Sequence, residues 1–157
     1  EGRALYLAET EKARDAVTAL LPQYFGILPK APLTVKRVEA FREKSAGKAF
    51  YQGPSPDGSR PGTFYYNAYD LPSRTTPGEV TLYLHEGAPG HHFQISLAQE
   101  NAALPAFMRF GGNTAFAEGW GLYAESLGKD LGVYTDPNQY FGRLQGELWR
   151  AIRLVVR

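Results

Sequence analysis

Apolar residues recur at helical spacing over 3–21, where Leu5, Ala8, Ala13, Ala16, Val17 and Leu20 share a side and Pro22 follows. The pattern predicts a first helix that the proline ends. From Leu33 to Phe41 the alternation of Leu33 and Val35, with Val38 beyond, predicts a strand, although 37–46 reads equally well as helix. Between Phe50 and Arg74 the turn signals Gly53-Pro54, Asp57-Gly58, Pro61-Gly62 and Leu71-Pro72 enclose the aromatic run Phe64-Tyr65-Tyr66. This predicts a loop-rich hairpin with one short strand at 63–67. Helical periodicity then returns. Thr76-Pro77-Gly78-Glu79 combines a capping box with a proline at the first helical position, and the helix it opens runs through Val80, Leu84 and His85. Pro89-Gly90 falls inside it. A proline there removes a backbone bond and clashes with the preceding turn, so a kink or local bulge is expected, with helix resuming at His91 and running to about Gln99. A third helix is expected over Thr114–Leu127, capped by Asn113 and stopped by Gly128, and a last one from Asp136-Pro137, with a capping pattern to Gln139, onward. The expected class is α+β and predominantly helical, with a small edge strand or hairpin before the histidine-bearing helix.

The chain has 157 residues, which fits a single domain over 1–157. It opens on a helix already under way and closes on one without a stop signal, so a fragment of a longer polypeptide is expected. Apolar faces meant for missing helices would then be exposed and hidden by self-association. Charge narrows the partners: 17 basic against 16 acidic residues leave +1, spread along the chain, which disfavours nucleic acid. No apolar run approaches the ~18 residues of a membrane span. The absence of cysteine excludes disulfides, thiolate metal sites and cysteine nucleophiles, so any metal must be held by His, Asp or Glu.

All three histidines, His85, His91 and His92, fall within eight consecutive residues, beside Glu86. A His-Glu pair followed a turn later by His on one helix is the arrangement in which two imidazoles hold zinc and the Glu acts as general base on water. The usual interval of four fails here, because position 89 is Pro. His91 and His92, at six and seven residues, would stand ~9 and ~10.5 Å along a straight helix, too far for zinc bonds of ~2.0 to 2.1 Å. Two residues bulged out at Pro89-Gly90 would restore His91 to an effective spacing of four, whereas a merely bent helix would align His92. We favour His91, with His92 turned to substrate or to a carboxylate such as Glu125. A catalytic zinc needs a third protein ligand and one open position. Glu118 and Glu125, seven apart among small and apolar residues, share a helix face that calls for compensation by a metal or a hydrogen-bonded histidine, and Glu118 is the best third ligand. Gly119 and Gly121 would let this helix approach the histidines closely. Packing or capping histidines and an exposed carboxylate pair are the bland alternatives.

The sequence His85-Glu86-Gly87-Ala88-Pro89-Gly90-His91-His92-Phe93-Gln94, followed by Glu118-Gly119-Trp120-Gly121-Leu122-Tyr123-Ala124-Glu125, resembles the bacterial family known as domain of unknown function 885, whose members resemble gluzincin-type zinc peptidases. The likeness takes in Asp57–Phe64 and Arg150–Val156 and covers the chain from about Leu21 onward. It implies a zincin-like catalytic core with His85, His91 and Glu118 as ligands of one zinc ion and Glu86 as base. It also implies a longer parent protein, exported or periplasmic in many members, acting on a peptide or other amide. Tyr123, His92 and Tyr66 are candidates for a donor to the oxyanion. The strand before the zinc helix is a candidate to pair with substrate backbone. Arg143, Arg150 and Arg157, with Arg153 between, form a basic stripe read as a solvated or interdomain face, with a clamp for a substrate carboxylate as the alternative. A non-catalytic metal-binding or scaffold module that retains the motif is the rival reading.

Overall fold

The computed structural model describes residues 2–73 and 76–156, and the side chains of Arg3, Leu5, Glu9, Ser73 and Thr76 lie outside that description, as does Arg157. The first helix, α1 (Gly2–Tyr24), runs through Pro22 instead of stopping before it. Proline removes one N–H near the helix end, but the Phe25 N–H still reaches the Leu21 carbonyl at 2.9 Å, and Val17 and Leu21 are buried. Packing of that face outweighs one missing bond.

Three short strands follow: β1 (Leu33–Arg37), β2 (Ala49–Gln52) and β3 (Gly62–Tyr66), in the order β1-β3-β2. β1 runs parallel to β3 with Val35 opposite Phe64, and β2 antiparallel with Tyr51 opposite Phe64. The strand expected at 63–67 is therefore the middle of the sheet, not an edge. Its residues Thr63, Phe64 and Tyr66 are buried, and a strand so covered belongs at the centre. Beyond β1 the chain turns through 40–46, where Arg37 grips Glu43 through two bonds of 2.6 and 2.9 Å, so neither a longer strand nor a helix forms.

After 3₁₀ turns at Leu71–Ser73 and Thr76–Gly78 comes α2 (Glu79–Glu86), which starts later than its capping signal because Gly78 takes the cap position without a side-chain bond. Glu79 accepts a hydrogen bond from the Tyr6 hydroxyl of α1, and the other half of the expected capping box, the Thr76 side chain, lies outside the described residues. The expected kink is a full break. Four residues, 87–90, separate α2 from α3 (His91–Glu100), and the Ala88–Pro89 peptide is cis. Gly90 folds back onto the end of α2 so closely that a Cβ would lie 1.9 Å from the His85 carbonyl oxygen and 2.2 Å from that of Leu84. Only hydrogen fits there.

A short α4 (Ala106–Phe110), which periodicity does not announce, leads to α5 (Thr114–Asp130). Asn113 caps α5 as expected, its side chain accepting the Phe116 N–H at 3.1 Å. Gly128 does not stop the helix. A Cβ there would sit 2.6 Å from Leu84 and Tyr134, so this glycine lets α5 cross α2, and the turn falls to Gly132 with φ +68°. The last helix, α6 (Pro137–Arg153), opens with the expected reciprocal capping of Asp136 and Gln139. The core gathers Val17 and Leu21 of α1, Phe64 and Tyr66 of β3, Tyr83 and Leu84 of α2, and Phe93 of α3. α6 stands apart from it. Its inward side carries Gly142, against the Pro77 carbonyl, with Arg143 and Arg150, while Phe141, Leu148, Trp149 and Ile152 are exposed. Among the described residues no helix is long and apolar enough to cross a membrane.

Two glycine substitutions should shift stability in opposite directions. Gly90→Ala forces the break open and is expected to cost about 3 kcal/mol. Gly119→Ala, in α5 with nothing within 4 Å of the added carbon, is expected to add about 0.5 to 1 kcal/mol through helix propensity. Urea denaturation of both variants beside the wild type checks the order.

Candidate metal centre

The break after α2 decides which histidines meet. His85 occupies the last turn of α2 and His91 the first residue of α3, and the fold-back at Gly90 sets their rings 4.7 Å apart and nearly perpendicular, at 83°. His85, Glu86 and His91 each offer one ligand atom within 4.8 Å of the others. From α5, Glu118 reaches across the pair: its Oε2 lies 3.3 Å from His85 Nε2 and its Oε1 3.6 Å from His91 Nε2. His91 Nε2 is also 3.9 Å from Glu86 Oε2. The two imidazoles are buried and Glu118 is exposed, so the group opens to solvent on the carboxylate side. α5 comes this close because His85 lies over Gly121, where a Cβ would fall 2.7 Å from the ring. Gly119, the other small residue expected to serve the approach, has nothing within 4 Å.

A protein-family profile, that of "Bacterial protein of unknown function (DUF885)", matches residues 1–156. The chain belongs to the DUF885 family. A solved structure described as "the putative lipoprotein from Colwellia psychrerythraea" is similar to this DUF885 chain, at 38% identity and a TM-score of 0.95. The match covers 99% of this chain and 27% of that one, so the chain spans about a quarter of the length of its solved relative. No curated protein matches it.

The remaining residues singled out in the sequence of this DUF885 chain lie elsewhere. His92 turns away from Glu125: its Nε2 is 3.1 Å from the Ala31 carbonyl, so this nitrogen donates, and its Nδ1, 2.8 Å away, accepts from the Tyr51 hydroxyl of β2. Both ring nitrogens are thus spent on fixing β2 and the loop before β1. Tyr66 is buried against Tyr6, with ring centres 5.4 Å apart. Tyr123 is exposed and packs edge-on to Trp120, and at ~100° per residue it stands roughly opposite Glu125 on α5. The contacts of these three residues are thus made with Ala31, Tyr51, Tyr6 and Trp120, whereas His85, His91, Glu86 and Glu118 face one another. Arg150, read as part of a solvated stripe, instead points inward. Its guanidinium holds Glu125 through bonds of 2.5 and 3.2 Å, and Glu125 in turn accepts from His85 Nδ1 at 2.7 Å. The available signal was Glu125 itself, a carboxylate on a small and apolar helix face that requires a cation.

Protonation follows the packing. Burial pulls His85 down, but the hydrogen bond and charge of Glu125, with the charges of Glu86 and Glu118, outweigh it and raise its pKa. His91 is lowered by burial and by His85, which outweigh the opposing charge of Glu118. Glu86 is pushed up to about 7, chiefly by burial, with His85 opposing and Glu118 reinforcing. The backbone of Tyr51 works against this rise.

His92 is pushed down to about 4 by burial, with the Ala31 bond opposing. A depressed imidazole contributes stability that is complete above the unfolded value of ~6.5 and lost as pH falls through 4. The metal-free chain is expected to lose about 3 kcal/mol from this source over that interval. His92→Gln should flatten that part of the pH dependence, and urea denaturation between pH 7 and 4 measures it.

Proposed function

We propose that this chain carries the catalytic core of a zinc-dependent, peptidase-type hydrolase, of gluzincin-like character, in which His85, His91 and Glu118 hold one ion and Glu86 is the general base. The observation that carries the reading is the convergence of two imidazole Nε2 atoms and one carboxylate. Ligands ~2.0 to 2.1 Å from a tetrahedral ion stand about 3.3 Å from one another. One Glu118 oxygen lies 3.3 Å from His85 Nε2 and the other 3.6 Å from His91 Nε2, close to the spacing that such an ion asks of its ligands. The donors are also of the right kind, nitrogen and oxygen, with Glu125 turning His85 so that its Nε2 keeps the lone pair.

Zinc held there would acidify a water molecule and polarise the scissile carbonyl. The chain's own part is proton handling and positioning. Glu86, with a pKa of about 7 in the metal-free chain, can take a proton near neutrality and return it to a leaving amine. Its carboxyl group faces the cluster, with one oxygen 3.9 Å from His91 Nε2. An extended substrate adds to β2, the outer strand of the sheet beside α2, and not to β3, whose two edges are taken. The lipoprotein description of the solved relative supports an exported setting for such an enzyme.

Elemental analysis of protein supplied with zinc is expected to give one ion per chain, lost in His85→Ala and His91→Ala and kept in His92→Ala. Glu86→Gln should retain zinc and fold while peptide hydrolysis drops by roughly 10² or more. Zinc uptake without any effect of Glu86→Gln on turnover would favour a non-catalytic metal-binding module instead.

A further inference from the structure

We propose that Arg150 of α6 is a positioning residue for the His85–His91 centre, fixing the orientation and tautomer of His85 through Glu125. The inference rests on the hydrolase reading for its purpose, but not for its geometry. Glu125 is almost wholly enclosed, with a side-chain exposure of 2%, and both of its oxygens are used. Oε1 accepts from His85 Nδ1 at 2.7 Å and from Arg150 Nη2 at 2.5 Å, and Oε2 accepts from Arg150 Nη1 at 3.2 Å. The backbone at Glu125 is held as well, its carbonyl accepting the Tyr134 hydroxyl at 2.7 Å.

A buried carboxylate with an imidazole as its single partner can rotate away. Forked by a guanidinium, the carboxylate is held in one orientation, with Oε1 on His85 Nδ1, which fixes the ring so that Nε2 is the nitrogen turned outward. That nitrogen is the one facing Glu118. Among its neighbours on the stripe, Arg143 is engaged by Glu147 at 2.8 Å and Arg153 is exposed, which leaves Arg150 as the arginine turned to the centre. It arrives from a helix that touches the centre through no ligand of its own and is docked at the start of α2, where Gly142 meets the Pro77 carbonyl. The centre therefore draws its outer hydrogen-bond shell from a third segment of chain, beyond the two motifs that supply its ligands.

The test uses Arg150→Gln and Arg150→Lys in the whole chain, with two readouts. In the metal-free, nitrogen-15-labelled protein, the His85 Nδ1 proton is expected to be protected from exchange in wild type and to exchange at least about tenfold faster in Arg150→Gln. Affinity for zinc alone, measured against a chromophoric chelator, is expected to fall about tenfold, the lower end of what loss of an outer-shell partner brings. Arg150→Lys keeps the charge but gives up the fork and should lie between wild type and Arg150→Gln in both. Circular dichroism establishes which variants fold. If Arg150→Gln does not, the lysine variant decides. A folded variant that matches wild type in both readouts overturns the proposal. Should the wild-type chain take up no zinc, the hydrolase reading falls, and the ring-proton exchange still decides the role of Arg150.

Discussion

A single backbone contact governs the geometry of this protein. Gly90 lies against the carbonyls that end α2, closer than any side chain would permit, and this turns the chain sharply enough for α3 to begin beside the helix it has just left. Everything assembled around His85 inherits that turn. His91 meets His85 because the fold-back places the first residue of α3 next to the last turn of α2, and His92, one residue on, is carried toward the sheet and the Ala31 loop. The Trp120 indole N–H donates to the Pro89 carbonyl at 2.7 Å, so α5 is pinned to the same turn.

Around that geometry the chain distributes charge in a graded way. Glu125, deepest, is matched by a guanidinium and an imidazole; Glu86, half-buried, is left with a raised pKa; Glu118, outermost, is exposed to water. Burial of a carboxylate is costly in proportion to how poorly it is compensated. The three acids therefore differ in setting: the first is fixed by its partners, the second is raised in pKa by burial, and the third meets the two histidines from the solvent side. Three identical functional groups on two helices acquire separate properties from depth and from the partners met at each depth.

Several local signals in the sequence are legible in the fold, although the capping box expected at Thr76-Pro77-Gly78-Glu79 is not among them, since Gly78 takes the cap position of α2. The Asp136–Gln139 capping box, the Asn113 cap, the interruption at Pro89-Gly90 and the clustering of histidines each depend on residues a few positions apart, and each has its counterpart in the fold. What escaped depends on distant partners. Pro22 is tolerated because the α1 face around Val17 and Leu21 packs into the core, and Gly128 continues a helix because Leu84 and Tyr134 press against it. The parallel pairing of β1 with β3 puts β3 in the middle of the sheet. His92 finds Tyr51 and Ala31, 41 and 61 positions away, and Glu125 finds Arg150 at 25. Periodicity carries no record of such pairings.

The reversed polarity of α6 has a consequence for the centre. A helix that turns glycine and arginine inward and Leu148, Trp149 and Ile152 outward gains little burial from the described residues of this chain. The counter-ion of Glu125 thus rides on a helix that the α2 and β3 core holds through few apolar contacts, and whatever packs on the outer face of α6 bears on the orientation of His85 as well.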